Sequence, residues 1–236
     1  MTPVGNNPEF RGKSGEILDA FTRSVARDGY EGTSFTIIAA ELGISRGLIA
    51  HHFGTKERLL STLHASYMRR RVDEANRIVS ELATPAEQLA GLLYASILYQ
   101  THDRDATVAF QREVARFARE DEDSEGSKLR AEYTRILRDV IDAGVASGEF
   151  RVVDTNTRSL LIFGAARWAW TWFRPEGPRS VEQIGAELVD LVLGSLLVTR
   201  RRLARLADPD GEVVATVRAI LTADDVGGNE SDLRSL

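Results

Sequence analysis

The sequence predicts an all-α protein, an amino-terminal helix-turn-helix domain followed by a larger helical bundle, and three observations carry that prediction. Apolar residues recur at helical spacing along most of the chain. No stretch alternates apolar and polar residues for long enough to make a strand. Glycines, prolines and cap-forming Ser, Thr and Asp residues interrupt the periodic runs where helices would stop and restart.

The elements follow in order. From about Lys13 to Arg27, Ile17, Leu18, Phe21, Val25 and Ala26 fall at helical spacing. The stretch "DGYEGTS" then breaks the helix with two glycines and offers Thr33 or Ser34 as the next N-cap. A second helix is expected over Phe35 to Leu42. In "ELGISRGLIAHHFGTKERLL", residues 41 to 60, helix formation stops at Gly43, restarts at Ser45, stops at Gly54 and restarts at Thr55. The helix between the breaks is about two turns long and is marginal unless its apolar face is packed. Leu48, Ile49 and Phe53 can turn inward with Ile38, Leu42 and Ile44, which leaves Arg46, Gly47, Ala50 and His51 on the opposite side. That outer face is small and polar, as a surface approached closely by another molecule would be.

A long fourth helix is expected over residues 55 to 83, stopped by Pro85. Further helices follow at about 86 to 102, 105 to 121, 125 to 147, 155 to 173 and 179 to 207, separated by "THDRD", "EDEDSEG", "SGEF" and "RPEGP". After Asp208 one amphipathic helix is expected near 212 to 223, with a disordered end. The domain reading is a flexible arm over 1–10, a helix-turn-helix domain over 11–55, a larger helical domain over 56–207 and a tail over 208–236.

Composition narrows the function classes. With 43% hydrophobic and 28% charged residues among 236, the chain has the profile of a globular protein. It has no cysteine, so disulfides and thiolate metal sites are excluded and a cytoplasmic setting is expected. No apolar run approaches the roughly twenty residues of a membrane span, and no membrane partner is expected. A net charge of −5 argues against indiscriminate coating of nucleic acid. The acidic excess lies beyond residue 60, because seven basic and seven acidic residues balance before it. No nucleophile elbow, phosphate-cradling glycine loop, H-E-x-x-H or calcium loop is present, so neither catalysis nor a cofactor is expected. His51 and His52 point about 100° apart on a helix and have no cysteine or carboxylate set to complete a metal site. An enzyme using Glu113 with His102 is the alternative from another class.

A helix, a tight turn and a second helix with a small polar face form the helix-turn-helix, whose second helix enters the DNA major groove. The run "EILDAFTRSVARDGYEGTSFTIIAAELGISRGLIAHHFGTKERLL" resembles the DNA-binding domain of the TetR family of bacterial transcriptional regulators. The matching features are Gly29-Tyr30, Thr33-Ser34, Ile38-Ala39, "GIS", "HF" and "TKERLL". The resemblance implies that Thr33, Ser45, Arg46, Gly47, Leu48, Ala50, His51 and Lys56 form the surface that meets operator DNA. Within it Thr33 would cap the second helix and Lys56 would meet a phosphate. Arg46 suits guanine O6 and N7, and Gly47 permits close backbone approach. The family often carries tyrosine where this chain has Ala50, so one phosphate contact is lost or moved to a neighbour. His51 and His52 are candidates for it, although His52 can equally pack against Phe53.

Two-fold DNA readers need two copies. "SLLIFGAARWAWTW" and "AELVDLVLGSLL", in the last two long helices, are the expected homodimer surface, with Gly164, Ala165 and Ala166 allowing close approach. The resemblance also implies a small-molecule effector pocket, for which Tyr67, Leu93, Ile97, Phe110, Phe117, Tyr133, Phe163 and Trp170 are the candidate lining. Plain core is the competing reading for each stripe. The segment from Gly164 onward is similar to family members that respond to acyl-coenzyme A thioesters, which makes an acyl-CoA the suggested effector. Arg112, Arg116 and Arg167 can answer an anionic ligand or serve as salt-bridge partners. A regulator of this fold without a small-molecule ligand is the remaining alternative.

Overall fold

The computed structural model describes residues 12–117 and 122–230, with side chains of the last helix described to residue 223. The expected arm at 1–10, the last residues of the expected helix 105 to 121 and the end of the tail lie outside the described residues. Twelve α-helices follow one another among the described residues: α1 Lys13–Gly32, α2 Phe35–Leu42, α3 Arg46–Phe53, α4 Lys56–Glu81, α5 Pro85–His102, α6 Arg104–Phe117, α7 Glu125–Ala146, α8 Thr155–Arg167, α9 Ala169–Trp172, α10 Val181–Leu196, α11 Leu203–Leu206 and α12 Glu212–Glu230. A 3-10 turn, Arg200–Arg202, precedes α11.

Three expectations are corrected. The run expected from 155 to 173 is interrupted at Trp168, where α8 ends and α9 begins. The helix expected from 179 to 207 stops at Leu196, because Leu197 takes extended backbone (φ −61°, ψ 132°) and bridges Phe150. There the Arg151 N–H donates to the Leu196 carbonyl and the Val198 N–H to the Glu149 carbonyl, both at 2.9 Å. These two bonds replace helical ones and satisfy the same backbone groups. The tail helix expected to end at 223 continues to Glu230.

The chain divides into two compact units, each described by itself. The first has as its described parts residues 12–70, 103–117, 122–130 and 225–230. Its core holds Ile17, Leu18, Phe21, Val25, Ile38, Ile49 and Phe53, all buried. Helix α6 lies along α1. His64, Phe117, Phe110 and Tyr67 form a further buried aromatic cluster, in which the His64 ring stacks on Phe117 at 4.2 Å and Tyr67 on Phe110 at 4.5 Å.

The second unit comprises residues 71–102 and 131–224. Its central packing is α5 against α10. Gly185 lets the two helices close, since a Cβ there would come within 2.6 Å of the fully buried Tyr94 ring. Tyr94 also donates its hydroxyl to the Asp208 carbonyl at 3.0 Å, and burial pushes its phenol well above the usual range. At the start of α5, Thr84 and Glu87 bond reciprocally to each other's backbone N–H, a capping box. Glu87 also pairs with Arg205 at 2.7 Å and Arg202 at 2.9 Å. The basic run 200–205 therefore ties α11 to α5, while Arg200 donates to the Gly194 carbonyl at the end of α10.

Candidate nucleic-acid interface

The local chemistry builds a short presented helix. Ser34 caps α2 by accepting from the Ile37 N–H at 3.3 Å. Gly43 ends that helix at φ 63° and ψ 33°, a left-handed conformation that costs a glycine nothing, and Ile44 then turns back to donate to Ala39 at 3.0 Å. Ser45 caps α3 through the Leu48 N–H at 3.1 Å. Gly54 ends α3, and Thr55 caps α4 by accepting from the Arg58 N–H at 3.2 Å.

Packing then decides which face α3 presents. Ile49 and Phe53 are buried and Leu48 is half-buried, whereas Ser45, Arg46, Gly47, Ala50 and His51 are exposed. The exposed face is the one expected from helical spacing. His52 is exposed as well, which corrects the inward alternative: its ring lies 5.7 Å from His51 and 6.3 Å from Phe53. Two imidazoles thus stand at the end of α3 beside Ala50.

Thr33 differs from expectation, and Lys56 has contacts within the protein that the sequence did not suggest. The cap of α2 is Ser34, because the Thr33 hydroxyl is buried, donating to the Gly29 carbonyl at 2.8 Å and lying 3.0 Å from Ser24 Oγ. Its side chain is turned away from solvent. The Lys56 ammonium donates to the Tyr30 and Thr33 carbonyls, both at 2.8 Å, and lies 4.0 Å from the centroid of the Tyr30 ring. It holds the α1–α2 connection to the start of α4, and one of its three donors remains.

Tyr30, named in the sequence only as part of the motif, has a role that sequence reasoning did not assign. Its hydroxyl donates to Glu57 Oε1 at 2.9 Å and its N–H to Glu113 Oε1 at 3.0 Å, with Arg116 4.4 Å from the ring centroid. Burial, then the Glu57 carboxylate, push the phenol up to about 12. Arg116 joins Glu31 at 2.5 Å and Glu113 at 3.2 Å, and Arg112 donates to the Ala26 and Arg27 carbonyls at 3.1 and 2.8 Å. Both arginines therefore fix α6 to the end of α1. Glu113, the acid of the enzyme alternative, is bound up in the same contacts.

The candidate pocket residues fall in both units. Tyr67, Phe110 and Phe117 belong to the buried aromatic cluster of the first. In the second, Leu93 and Ile97 are buried, while Tyr133, Phe163 and Trp170 are half-buried, with the Tyr133 and Phe163 rings 5.7 Å apart. The second unit also contains a buried polar group that periodicity did not reveal. Arg71 pairs with Glu74 at 3.0 Å and its guanidinium lies 3.7 Å from the centroid of the Tyr99 ring, all three being at most 4% exposed. Burial and the Glu74 carboxylate raise the Tyr99 phenol.

Several large apolar side chains remain uncovered in the second unit. Leu160, Leu161, Trp168 and Trp172 stand out from α8 and α9, and Leu191 from α10, each at least half exposed. Arg158 on α8 donates to Ser195 on α10 at 3.2 Å. Among the described residues no helix is long and apolar enough to cross a membrane.

Comparison with known proteins agrees with this geometry. Residues 17–63 match the model of bacterial regulatory proteins of the tetR family, and residues 82–196 match the tetracyclin repressor-like C-terminal domain. The HTH-type transcriptional repressor KstR2 of Mycobacterium tuberculosis is 28% identical over 189 residues, covering 80% of this chain and 94% of its own. The solved structure of that ketosteroid transcriptional regulator superimposes with a TM-score of 0.71 at 27% identity, covering 80% of this chain and 97% of its own. AibR, in complex with isovaleryl coenzyme A and operator DNA, superimposes with a TM-score of 0.64 at 25% identity, covering 74% of this chain and 95% of its own. A helix-turn-helix with α3 presented, joined to a matching carboxy-terminal helical domain, places this chain in the TetR family of bacterial transcriptional regulators.

Proposed function

We propose that the protein is a homodimeric repressor that binds a palindromic operator through residues 11–55 and is released by an effector bound within residues 56–207. The observation that carries the DNA reading is the exposed face of α3, where Arg46, Gly47, Ala50 and His51 stand clear of a helix anchored by buried Ile49 and Phe53. In this reading Arg46, the first residue of α3, contacts guanine, and Lys56, the first residue of α4, meets a phosphate with its remaining donor. Pairing runs through α8 and α10, a reading supported by the exposed Leu160 and Leu161 on α8 and Leu191 on α10, with Trp168 and Trp172 exposed just after α8.

The proposed effector is an acyl-coenzyme A thioester. AibR was solved with isovaleryl coenzyme A, and the half-buried Tyr133, Phe163 and Trp170 offer aromatic surface for an acyl chain. Coupling needs only that the thioester bind better to the conformation that binds DNA worse. The test is fluorescence anisotropy of a labelled duplex carrying the DNA upstream of this protein's gene, with and without long-chain acyl-CoA. Saturable, salt-sensitive binding that the thioester weakens is expected. Binding indifferent to acyl-CoAs of any chain length would overturn the effector class, and the absence of specific binding would overturn operator recognition at that site.

A further inference from the structure

We propose that Glu113 and Arg116 of α6 are positioning residues for DNA binding, holding Tyr30 so that its ring and carbonyl fix the Lys56 ammonium at the N-terminus of α4. The inference rests on the regulator reading above and adds a route by which α6 controls a DNA contact. It begins at Gly29, whose φ of 76° breaks α1 and leaves the Tyr30 N–H without its helical acceptor. Glu113 supplies that acceptor at 3.0 Å. Arg112 closes the carbonyls of Ala26 and Arg27 on the other side of the break, so α6 grips both ends of the discontinuity.

The ring of Tyr30 then serves two cations, Arg116 at 4.4 Å and Lys56 at 4.0 Å from its centroid. Two cations on one ring repel each other, and Glu31, Glu57 and Glu113 surround them: Glu31 and Glu113 pair with Arg116, and Glu57 accepts from the Tyr30 hydroxyl. Lys56 is held further by the carbonyls of Tyr30 and Thr33. An ammonium with two donors fixed and one remaining is an oriented cation, and a helix N-terminus adds exposed N–H groups beside it. A shift of α6 along α1 strains the Glu113–Tyr30 bond without touching any residue of α3. Operator affinity can therefore fall while the recognition helix stays folded.

Lysine labelling tests the clasp directly, because the chain has only Lys13, Lys56 and Lys128. Limited acetylation of the full chain with an N-hydroxysuccinimide ester, read by mass spectrometry, should modify Lys56 more slowly than the other two. Arg116→Gln should accelerate Lys56 severalfold with Lys13 and Lys128 unchanged as internal references, and Arg116→Lys should restore much of the protection. The Arg116 side chain is 46% exposed, so its replacement leaves the core intact. An unchanged Lys56 rate in Arg116→Gln would overturn the proposal.

A duplex titration adds the functional readout. Arg116→Gln should weaken operator binding about fivefold, the factor of an exposed cation–π contact. It should do so in the parent but not in a Lys56→Ala background, since the effect passes through Lys56. Equal losses in both backgrounds would overturn the proposal. Failure of the parent to bind any operator would contradict the regulator reading, while the labelling rates would still decide the clasp.

Discussion

Removing Leu161 and Leu191 together should dissolve the proposed dimer. Their side chains are 63% and 66% exposed on α8 and α10. Burying a whole leucine is worth about 1.5–3 kcal/mol, so covering the exposed part of each contributes roughly 1–2 kcal/mol on pairing. A two-fold axis brings four such side chains to the interface, and replacing them all by alanine should cost roughly 4–8 kcal/mol. That is a factor of at least about a thousand in the dimer dissociation constant. Both side chains are already in water in the protomer, so the double variant should keep its helical circular dichroism. Sedimentation velocity from low micromolar to nanomolar protein should show a dimer for the parent and a monomer for the variant. A variant that stays dimeric at nanomolar concentration would refute the assignment of α8 and α10 as the pairing surface.

Arg46→Ala should cost about 1–3 kcal/mol at the operator and relax base preference, read by titrating a panel of duplexes mutated one base pair at a time. Affinity and preference equal to the parent would mean that α3 is not the reading helix. Gly144→Ala should lower stability by about 1–3 kcal/mol in urea unfolding, because the new Cβ would collide with the buried Phe150 ring. An equally stable variant would show that this ring moves freely. Glu87→Gln should cost about 1 kcal/mol at neutral pH. Burial opposes the Glu87 charge, yet the bonds from Thr84 and Arg205 and the charge of Arg202 hold its carboxyl below the usual range. A depressed folded-state pKa gives stability above the unfolded value, about 4.3, that is lost as pH falls through the folded value. The difference between parent and variant should therefore begin to shrink as pH falls below about 4.3 and disappear only below the folded value, and a constant difference down through that range would contradict the ion-pair account.

The parts legible in the sequence are those in which residue type states a local role. Gly43, Ser45, Gly54 and Thr55 each permit one backbone or cap role, and together they placed α2, α3 and the start of α4 within a residue of their observed bounds. The exposed face of α3 followed from the same spacing. What stayed hidden depends on residues far apart in the chain. Thr33 and Ser34 are equivalent as caps until Ser24 and the Gly29 carbonyl claim the Thr33 hydroxyl. Leu197 sits in an apolar run that reads as helix, and only its bridge to Phe150 breaks it. The Tyr30 clasp joins residues 83 positions apart in sequence, a separation at which periodicity carries no signal. Arg112 and Arg116 read as structural pairs sooner than as ligand anchors, but the sequence named no partner for either, and only the structure shows those partners on α1.

Hydroxyl-radical footprinting of the DNA upstream of the gene tests the central claim most directly, because it reads helix placement and symmetry at once. Two protected half-sites about 10 base pairs apart, centre to centre or in multiples, on one face of the duplex, and lost in Arg46→Ala, are predicted. Unbroken or absent protection, or a footprint that Arg46→Ala leaves unchanged, would contradict the account.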